Sequence, residues 1–317
     1  MSVLILGDLI ADLSLRVPRL GVQAKDIQRL SYLELGPGGA CNVAIMASRF
    51  GLQVGCLGEV GDDATGLMVG AGLKREGIDT SQLLVSPGAH TPVAVVMVDP
   101  SGEPAYLGYP GSLHLRSWPA SWDAAAQNAQ ALFADGWAEY KETPSLILRG
   151  LELARAAGVL TVFDPGPGNP EVDSAWVKKA AALSRVLLLN REEARRLIGA
   201  LDDQGLVKQL QDLGPEWVGL KLGAEGLLLA HGKETAAAPG FSVEVKDTTG
   251  AGDSVSGAML YGILNELPIE KMAVLANATG AAKVQKLGTG HNLPTLPDIA
   301  SVLQSNGFDP AEFLPAK

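Results

Sequence analysis

Short apolar runs alternate along the chain with longer stretches in which apolar positions recur every three or four residues. The runs have the length of buried strands, and they are Val3–Leu6, Val54–Leu57, Gln130–Phe133, Val159–Phe163, Val186–Leu189 and Trp217–Leu222. Strands that alternate with helices are typical of repeated βαβ units around a mostly parallel sheet. Because helices cover both faces of such a sheet, the pattern predicts a three-layer α/β/α fold.

Two segments, at about 13–35 and 91–109, depart from this pattern. Alternation in Val93–Val98, followed by the turn residues Asp99–Gly102, predicts hairpins. We expect the two segments to pair as a small β lid that excludes water from a site below it. No fixed-period repeat or low-complexity linker marks a boundary, so we expect one domain over residues 1–317.

The composition narrows the classes of partner. Apolar residues make up 47% of the chain and charged residues 19%, which is within the globular range. The formal net charge of −10 argues against nucleic acid or an anionic membrane as a partner, since both need a basic surface. An anionic ligand would therefore be bound by backbone N–H groups and helix N-termini.

The two cysteines, Cys41 and Cys56, have neither metal-ligand spacing nor the density of a secreted disulfide scaffold. We therefore expect a reduced, cytoplasmic setting. The apolar start Val3–Leu6 has no basic region before it and stops at Gly7, which favours a first strand over a signal peptide. No apolar run reaches the ~18 residues that a membrane span requires.

Several familiar active sites can be excluded. The chain has no Gly-x-x-x-x-Gly-Lys-Ser/Thr, no Gly-x-Gly-x-x-Gly after the first strand and no Gly-x-Ser-x-Gly. Its histidines are scattered without metal-ligand spacing, at His90, His114, His231 and His291.

The glycine-rich run Asp247–Asp253 precedes a helical pattern and is the strongest chemical signal. Gly250, Ala251 and Gly252 have little or no side chain, so their N–H groups can converge on an oxyanion at a helix N-terminus. An acid placed beside such an anion hole, here Asp253, can take a proton from a hydroxyl that attacks a phosphate held there. The alternative is a helix cap followed by a tight glycine turn.

Two segments of the chain resemble the signatures of a known family. Asp247–Asp253 followed by Gly257–Leu260 resembles the C-terminal signature of the ribokinase family, the PfkB-type carbohydrate kinases. Gly38–Ala44, with Gly51 and Gly61 further on, resembles the N-terminal signature of the same family. In that family the last Asp of the C-terminal signature is the catalytic base and the Gly-Ala-Gly segment is the anion hole.

The resemblance implies a ribokinase-like fold and transfer of the γ-phosphoryl group of ATP to a sugar hydroxyl, with Mg²⁺ as cofactor. It also implies a homodimer formed through the β lid. A nucleoside kinase of the adenosine or pseudouridine type is the first alternative, and a non-catalytic sugar-binding regulator is the second. The lid segments hold few aromatic residues, Tyr32, Tyr106 and Tyr109, which leans towards a sugar.

The sugar side of the expected site lies in the N-terminal part of the chain. Gly38 and Gly39 would let the backbone approach a ligand, and Asn42 can both donate and accept hydrogen bonds, which suits a polyol. The alternative is a glycine turn before a helix that starts with Asn. By resemblance Asp12 grips the sugar, whereas Asp8 could equally be a solvated loop acid.

The nucleotide side is spread over the C-terminal half. Asn190 and Glu193 form a capping-box pattern, but an Asn-x-x-Glu motif at this place in the family organises Mg²⁺, water and phosphate. By resemblance the turn containing Gly223 and Gly226 lies beside ATP, with Lys221 as a phosphate partner.

The resemblance also assigns Asn277 to an adenine pocket and Gly288 to the loop that closes it. Some members of the family bind K⁺ near the anion hole through carbonyl groups and an aspartate like Asp247, which makes K⁺ a candidate cofactor. The segment 286–291 departs from the ribokinase pattern at this loop.

Overall fold

A computed structural model of the chain describes residues 2–112, 118–138, 145–166 and 174–315; His114 lies outside these residues. The strands of the described residues are β1 Val3–Leu6, β2 Leu9–Arg16, β3 Tyr32–Gly39, β4 Val54–Gly61, β5 Leu83–Ser86, β6 Val93–Val98, β7 Pro104–Tyr109, β8 Ala131–Asp135, β9 Leu160–Asp164, β10 Val186–Asn190, β11 Trp217–Lys221, β12 Gly226–His231 and β13 Glu234–Pro239. The α-helices are α1 Ala40–Arg49, α2 Ala64–Arg75, α3 Ala120–Asn128, α4 Leu146–Ala156, α5 Ser174–Leu183, α6 Arg191–Ile198, α7 Asp203–Gln211, α8 Ala251–Leu264, α9 Ile269–Val284 and α10 Leu296–Ser305.

A large sheet forms the centre of the molecule, with the strand order β13-β12-β11-β10-β9-β8-β1-β4-β5. The strands from β11 to β5 pair in parallel, and β12 and β13 continue the sheet in antiparallel pairing at one edge. All six strands predicted from apolar runs belong to this sheet.

The helices lie on both faces of the large sheet, so the predicted three-layer α/β/α fold is confirmed. One apolar core joins the sheet to residues of α1, α2, α8, α9 and α10. A second core joins the opposite face to residues of α3 to α7. The sheet is covered on both faces, which explains why its strands are apolar runs without alternation.

A second, smaller sheet has the strand order β3-β2-β6-β7. It extends beyond the predicted segment, because β2 begins at Leu9 and β3 runs on to Gly39 in register with it. Asp12 therefore lies within β2 and not at the end of the first strand, which stops at Leu6. Gly38 and Gly39 are the last residues of β3, which leads directly into α1.

Among the described residues, no helix is both long enough and apolar enough to cross a membrane.

Candidate active site

The polar residues of the site gather at the carboxyl ends of the central strands. β8, β9, β10 and β11 end on Asp135, Asp164, Asn190 and Lys221, and Asp135 is in register with Asp164. β1 and β8 are neighbours in the sheet, with β4 on the other side of β1 and β9 on the other side of β8. The chain therefore connects β1 to one half of the sheet and β8 to the other half, which makes this position a switch point. Ligands of open α/β sheets bind in the crevice at such a switch point.

The N-terminus of α8 provides the anion-binding part of this crevice. Gly250 has a left-handed backbone (φ 76°), which allows the chain to turn sharply into the helix at Ala251. The amide of Ala251 donates to Thr248 O and that of Ser254 to Gly250 O. For the amides of Gly252 and Asp253, by contrast, no acceptor is present among the described residues. Two such N–H groups at a helix N-terminus, together with the helix dipole, are able to hold an anion.

Asp253 lies in the first turn of α8 and contacts the N-terminal motif. Asn42 Nδ2 donates to Asp253 Oδ2 over 2.9 Å. Burial raises the pKa of Asp253 to about 6, against the lowering effects of the Asn42 hydrogen bond, Lys221 and Lys283. The carboxyl group is therefore a proton acceptor at neutral pH, with a pKa closer to the operating pH than that of an ordinary aspartate.

The loop that follows α9 ties the sugar-side residues to the anion hole. Thr289 Oγ1 donates to Asp12 Oδ2 over 2.6 Å, and Gly290 N donates to Asn42 Oδ1 over 3.1 Å. Burial raises the pKa of Asp12 to about 7, and nearby Asp253 adds to this effect, although the Thr289 hydrogen bond opposes it. Asp12 and Asn42 are thus both buried, and Asn42 contacts the carboxyl group of Asp253.

A lysine and a carboxyl group pair on the other side of the anion hole. Lys221 Nζ lies 2.5 Å from Asp164 Oδ2, and Ser256 Oγ donates to the same oxygen over 2.9 Å. Burial alone would lower the pKa of Lys221, but Asp164 and Glu193 outweigh it and the pKa is raised. A Cβ atom at Gly252 would lie 3.4 Å from Lys221 Nζ, so the ammonium borders the first turn of α8.

Asp135, at the end of β8, is a further buried acid of the crevice. Its Oδ2 atom is buried and has no hydrogen-bond partner among the described residues, and its Oδ1 atom accepts a hydrogen bond from the amide of Trp137. Burial raises the pKa of Asp135 well above its usual range, with further contributions from Asp8 and Asp253. A buried polar atom without a partner inside a crevice suits a ligand hydroxyl that would donate to it.

Asn190 and Glu193 form a complete capping box at the start of α6. Asn190 Oδ1 accepts the Glu193 amide over 2.9 Å, and the Glu193 carboxylate accepts the Asn190 amide over 2.7 Å. Burial raises the pKa of Glu193 to about 7, and Asp164 adds to this effect. The described residues contain no cluster of three His, Cys, Asp or Glu side chains able to hold a metal ion by itself.

The turn between β11 and β12, which we expect beside the nucleotide, lies close to α9 at the edge strand β13. Gly223 and Gly226 frame a short turn between β11 and β12, and both have positive φ. Asn277 Nδ2 donates to Pro239 O at the end of β13, whose partner in β12 is Gly226. These three residues therefore lie in one region.

Gly288 lies in the segment between α9 and α10, in contact with Asp247. Its amide donates to Asp247 Oδ2 over 2.8 Å, and a Cβ atom there would lie 2.5 Å from the hydroxyl oxygen of Tyr32. Gly288 thus connects the loop that contains Asp247 with β3 of the small sheet.

Asp164, Ser256 and Thr289 were missed because none belongs to a recognised motif. A signal did exist for Asp164, since an acid that ends an apolar strand faces the crevice of a parallel sheet, as Asp135 does. No such signal marks Thr289, whose role depends on contacts between residues far apart in the chain.

Comparisons with known proteins show which family and fold this chain is similar to. The model of the pfkB family carbohydrate kinases matches residues 1–296. The chain is 29% identical over 290 residues to 5-dehydro-2-deoxygluconokinase of Shouchella clausii, covering 86% of this chain and 88% of the relative. It is 28% identical over 309 residues to ribokinase of Haemophilus influenzae, covering 95% of this chain and 97% of that relative. The solved structure of a putative ribokinase II from E. coli, in complex with ATP and Mg²⁺, superposes with a TM-score of 0.82 at 18% identity, covering 96% of this chain and 99% of that chain.

Proposed function

Because the chain belongs to the pfkB family of carbohydrate kinases, we propose that it transfers the γ-phosphoryl group of ATP to a sugar hydroxyl in the crevice around Asp253. The hydrogen bond between Asn42 and Asp253 is the observation that carries the proposal, since it joins the two motifs in one site. A residue suited to hold a polyol and a residue suited to take its proton are thereby in direct contact.

In the proposed reaction Asp253 accepts the proton of the attacking hydroxyl. The free amides of Gly252 and Asp253, within the segment formed by Gly250, Ala251 and Gly252, stabilise the negative charge on the transferred phosphoryl group. Lys221 borders the same turn and adds positive charge. Positioning and charge stabilisation supply most of the acceleration in phosphoryl transfer, and a general base contributes about 10²–10⁴-fold.

The sugar would lie between the small sheet and the anion hole. Asp12 and Asn42 would bind its hydroxyl groups, and the unpartnered oxygen of Asp135 would accept another. Gly38 and Gly39 pack closely against β2, since a Cβ atom at Gly38 would collide with the Asp12 carboxyl group and one at Gly39 with Asp8 O.

The nucleotide would lie on the opposite side of the anion hole. Gly223, Gly226 and Asn277 would border the ATP base and ribose, and Asn190 would lie near its phosphates. Gly288 would act at the anion-hole loop, where its amide holds Asp247.

Mg²⁺ would accompany ATP, as it does in the E. coli structure. Glu193 is suited to balance such an ion, because burial and the charge of Asp164 raise its pKa to about 7 and a nearby cation would relieve the repulsion between the two carboxyl groups. Mg²⁺ that accompanies a nucleotide is usually held by one or two carboxylates together with phosphates and water. The ion would neutralise charge on the phosphates.

Turnover tests the proposal directly. ADP release would be measured with ATP, Mg²⁺ and a panel of ribose, fructose, keto-deoxy sugar acids and nucleosides. We expect turnover with a sugar and a fall of about 10²–10⁴-fold in Asp253→Asn. Asp212→Asn, which changes an exposed carboxylate, is the matched control.

Three outcomes would contradict the proposal. Turnover with nucleosides alone would favour a nucleoside kinase. Sugar binding without ADP release would favour a regulator. Full turnover in Asp253→Asn would contradict the role of the base.

We propose that the small sheet acts as a lid on a single kinase domain and that its outer face joins two copies of the chain. Asp12 and Ser14 of β2 are buried on the inner face of the small sheet. Leu13, which lies between them in β2, is on the outer face and belongs to an apolar row across all four strands. That row is Leu35, Leu13, Val95 and Leu107. Leu35 and Leu107 are 45% and 60% exposed in the single chain, and exposed apolar patches of this kind mark interfaces.

Light scattering during gel filtration tests the dimer. We expect a dimer for the unchanged chain and a monomer for Leu107→Glu, because the charge would be buried at a two-fold interface. Leu67→Glu is the control, since Leu67 of α2 is equally exposed, at 64%, outside the small sheet. A dimer that persists in Leu107→Glu would contradict this interface. The cytoplasmic setting stays a prediction.

A further inference from the structure

The side chain of Lys283, in the last turn of α9, is a fully buried cation. It has 0% exposure and is among the largest side chains buried to this degree. Its Nζ atom lies 3.0 Å from Lys286 O, 3.2 Å from Asp247 O and 3.8 Å from Asp247 Oδ2. The first two are carbonyl oxygens that accept hydrogen bonds from Nζ, and the third is a carboxylate oxygen that pairs with its charge, so the environment suits an ammonium group.

Lys283 and Asp247 together connect the two loops that build the site. Asp247 Oδ1 accepts the Thr249 amide and Oδ2 accepts the Gly288 amide, each over 2.8 Å. The loop that contains Asp247 and Thr249 continues to the anion hole. The loop that contains Gly288 continues to Thr289 and Gly290, which bind Asp12 and Asn42. A Cβ atom at Gly250 would lie 3.7 Å from Lys283 Cε, so the lysine stem packs directly beneath the turn into α8.

Burial of a charge at this point has a cost that an apolar residue would avoid. A buried ion pair contributes little net stability compared with a well-packed apolar pair of similar volume. The site nevertheless concentrates negative charge, since Asp12, Asp247 and Asp253 lie around the loops that must receive an anionic nucleotide. The Lys283 ammonium offsets part of this charge at the base of the anion hole.

The ligands of Lys283 are those of a monovalent metal ion. Two carbonyl oxygens and a carboxylate around one charge form the oxygen-rich set that replaces the hydration shell of ions such as K⁺. The ammonium has the same charge, but the chain supplies it at the end of a side chain that cannot dissociate.

We infer that Lys283 is a built-in monovalent cation that positions the anion-hole loop, so that the kinase works without K⁺. This inference rests on the proposed kinase function. It assigns Lys283 to positioning, because the side chain acts through Asp247 and the loops and does not touch the substrate. The K⁺ ion suggested by the family resemblance has no place left to occupy, since Lys283 Nζ already contacts the Asp247 oxygens.

Two substitutions separate the charge of Lys283 from its volume. Lys283→Ala removes the ammonium and leaves a hole lined by oxygens, whereas Lys283→Met removes the charge but fills the hole. With K⁺ replaced by a tetraalkylammonium ion at constant ionic strength, we expect kcat to fall about 100-fold in both, the scale that misplacement of reacting groups produces. K⁺, NH₄⁺ or methylammonium should then restore activity to Lys283→Ala and not to Lys283→Met.

The unchanged chain and Lys271→Ala are the controls, and both should turn over equally with and without K⁺. Lys271 lies on the same helix and pairs at the surface with Glu312. A chain that needs K⁺ before any substitution would overturn the inference, and this result is accessible even if neither Lys283 variant folds. Folded Lys283→Ala that stays fully active without K⁺, or that no monovalent cation rescues, would also overturn it.

Thermal unfolding gives a readout that requires no turnover. K⁺ should raise the Tm of Lys283→Ala, since an ion that binds only the folded state stabilises it. It should leave the Tm of Lys283→Met and of the unchanged chain as they are. If no sugar or nucleoside is phosphorylated, the proposed function fails, but the Tm comparison still decides whether Lys283 occupies a cation site.

Discussion

The backbone of Gly38 lies directly against the carboxyl group of Asp12. A Cβ atom at position 38 would be 2.1 Å from Asp12 Cγ and 2.2 Å from Asp12 Oδ1, distances at which one of the two must move. The two residues belong to adjacent antiparallel strands, β3 and β2, of the small sheet. The absence of a side chain at position 38 thus fixes the place of a carboxyl group that we expect to bind the sugar.

Gly38→Ala should therefore weaken sugar binding by displacing Asp12. Hydrogen bonds to charged groups contribute about 1.5–3 kcal/mol, which corresponds to a rise in KM for the sugar of about 10- to 100-fold. Gly36→Ala is a matched control on the same strand, because a Cβ atom there would meet nothing within 4 Å. Steady-state kinetics with the sugar varied would measure both, and an equal KM in the two variants would contradict the role of Gly38.

Asn42→Leu should change the pH dependence of the reaction. Asp253 must be deprotonated to accept a proton, so kcat/KM should fall as the pH drops through its pKa of about 6. The Asn42 hydrogen bond favours the charged form of Asp253, and its removal raises the pKa. The acid limb of the profile should therefore move to higher pH, with a much larger loss of activity at pH 6 than at pH 9.

Kinetics from pH 5 to 9 would locate this limb in each protein. Asn265→Ala is a suitable control, since Asn265 follows the other end of α8 and its side chain donates to Tyr261 O of that helix. Acid limbs that coincide in Asn42→Leu and the unchanged chain would show that Asn42 does not tune the base.

The sequence predicted the fold and the two motifs because each rests on local signals. The apolar runs predicted all the parallel strands from β11 to β4 of the large sheet. The glycine-rich run Asp247–Asp253 predicted the turn into α8. Asp12 and Asn42 were found through their motifs. Their partners were not, because Thr289 and Gly290 approach them only after the chain has completed the large sheet.

Lys221 illustrates the same limit. Its residue type and its place before a glycine turn predicted a phosphate partner, but no pattern paired it with Asp164 of a different strand. Lys283 could not be recognised at all, since a lysine near the end of a helix is ordinarily exposed. Burial of such side chains depends on how helices and strands from distant parts of the chain pack together, and this packing cannot be predicted from the local pattern of a single sequence.

Lys221→Met should cost both stability and activity, for separable reasons. It leaves Asp164 unpaired at a side-chain exposure of 12%, and breaking a buried pair lowers the free energy of unfolding by about 3–5 kcal/mol. Lys221→Met with Asp164→Asn removes both charges and should recover most of this stability. It should not recover kcat, because the ammonium beside the anion hole is still missing.

Urea unfolding and ADP release on the single and double variants would measure the two effects. Arg185→Met provides the surface comparison, since Arg185 and Glu216 are 44% and 49% exposed and their pairing contributes at most about 1 kcal/mol. Recovery of kcat in the double variant would mean that Lys221 acts only by neutralising Asp164.

Asp12→Asn should make the protein more stable at pH 8 while weakening sugar binding. Burial raises the pKa of Asp12 to about 7 from 3.8, so between these values the folded state binds more protons than the unfolded state. Stability from Asp12 is then complete at low pH and is lost as the pH rises through 7.

Asparagine does not titrate and can still accept the Thr289 hydrogen bond, so the Tm advantage of Asp12→Asn should be small at pH 4 and largest at pH 8. Each unit of pKa difference is equivalent to about 1.4 kcal/mol. Differential scanning fluorimetry across this range would measure it, with Asp212→Asn as the exposed control. Parallel Tm profiles for Asp12→Asn and the unchanged chain would contradict the raised pKa. A stabilised variant with a raised KM would show that the chain keeps a destabilising buried carboxyl group because the sugar needs it.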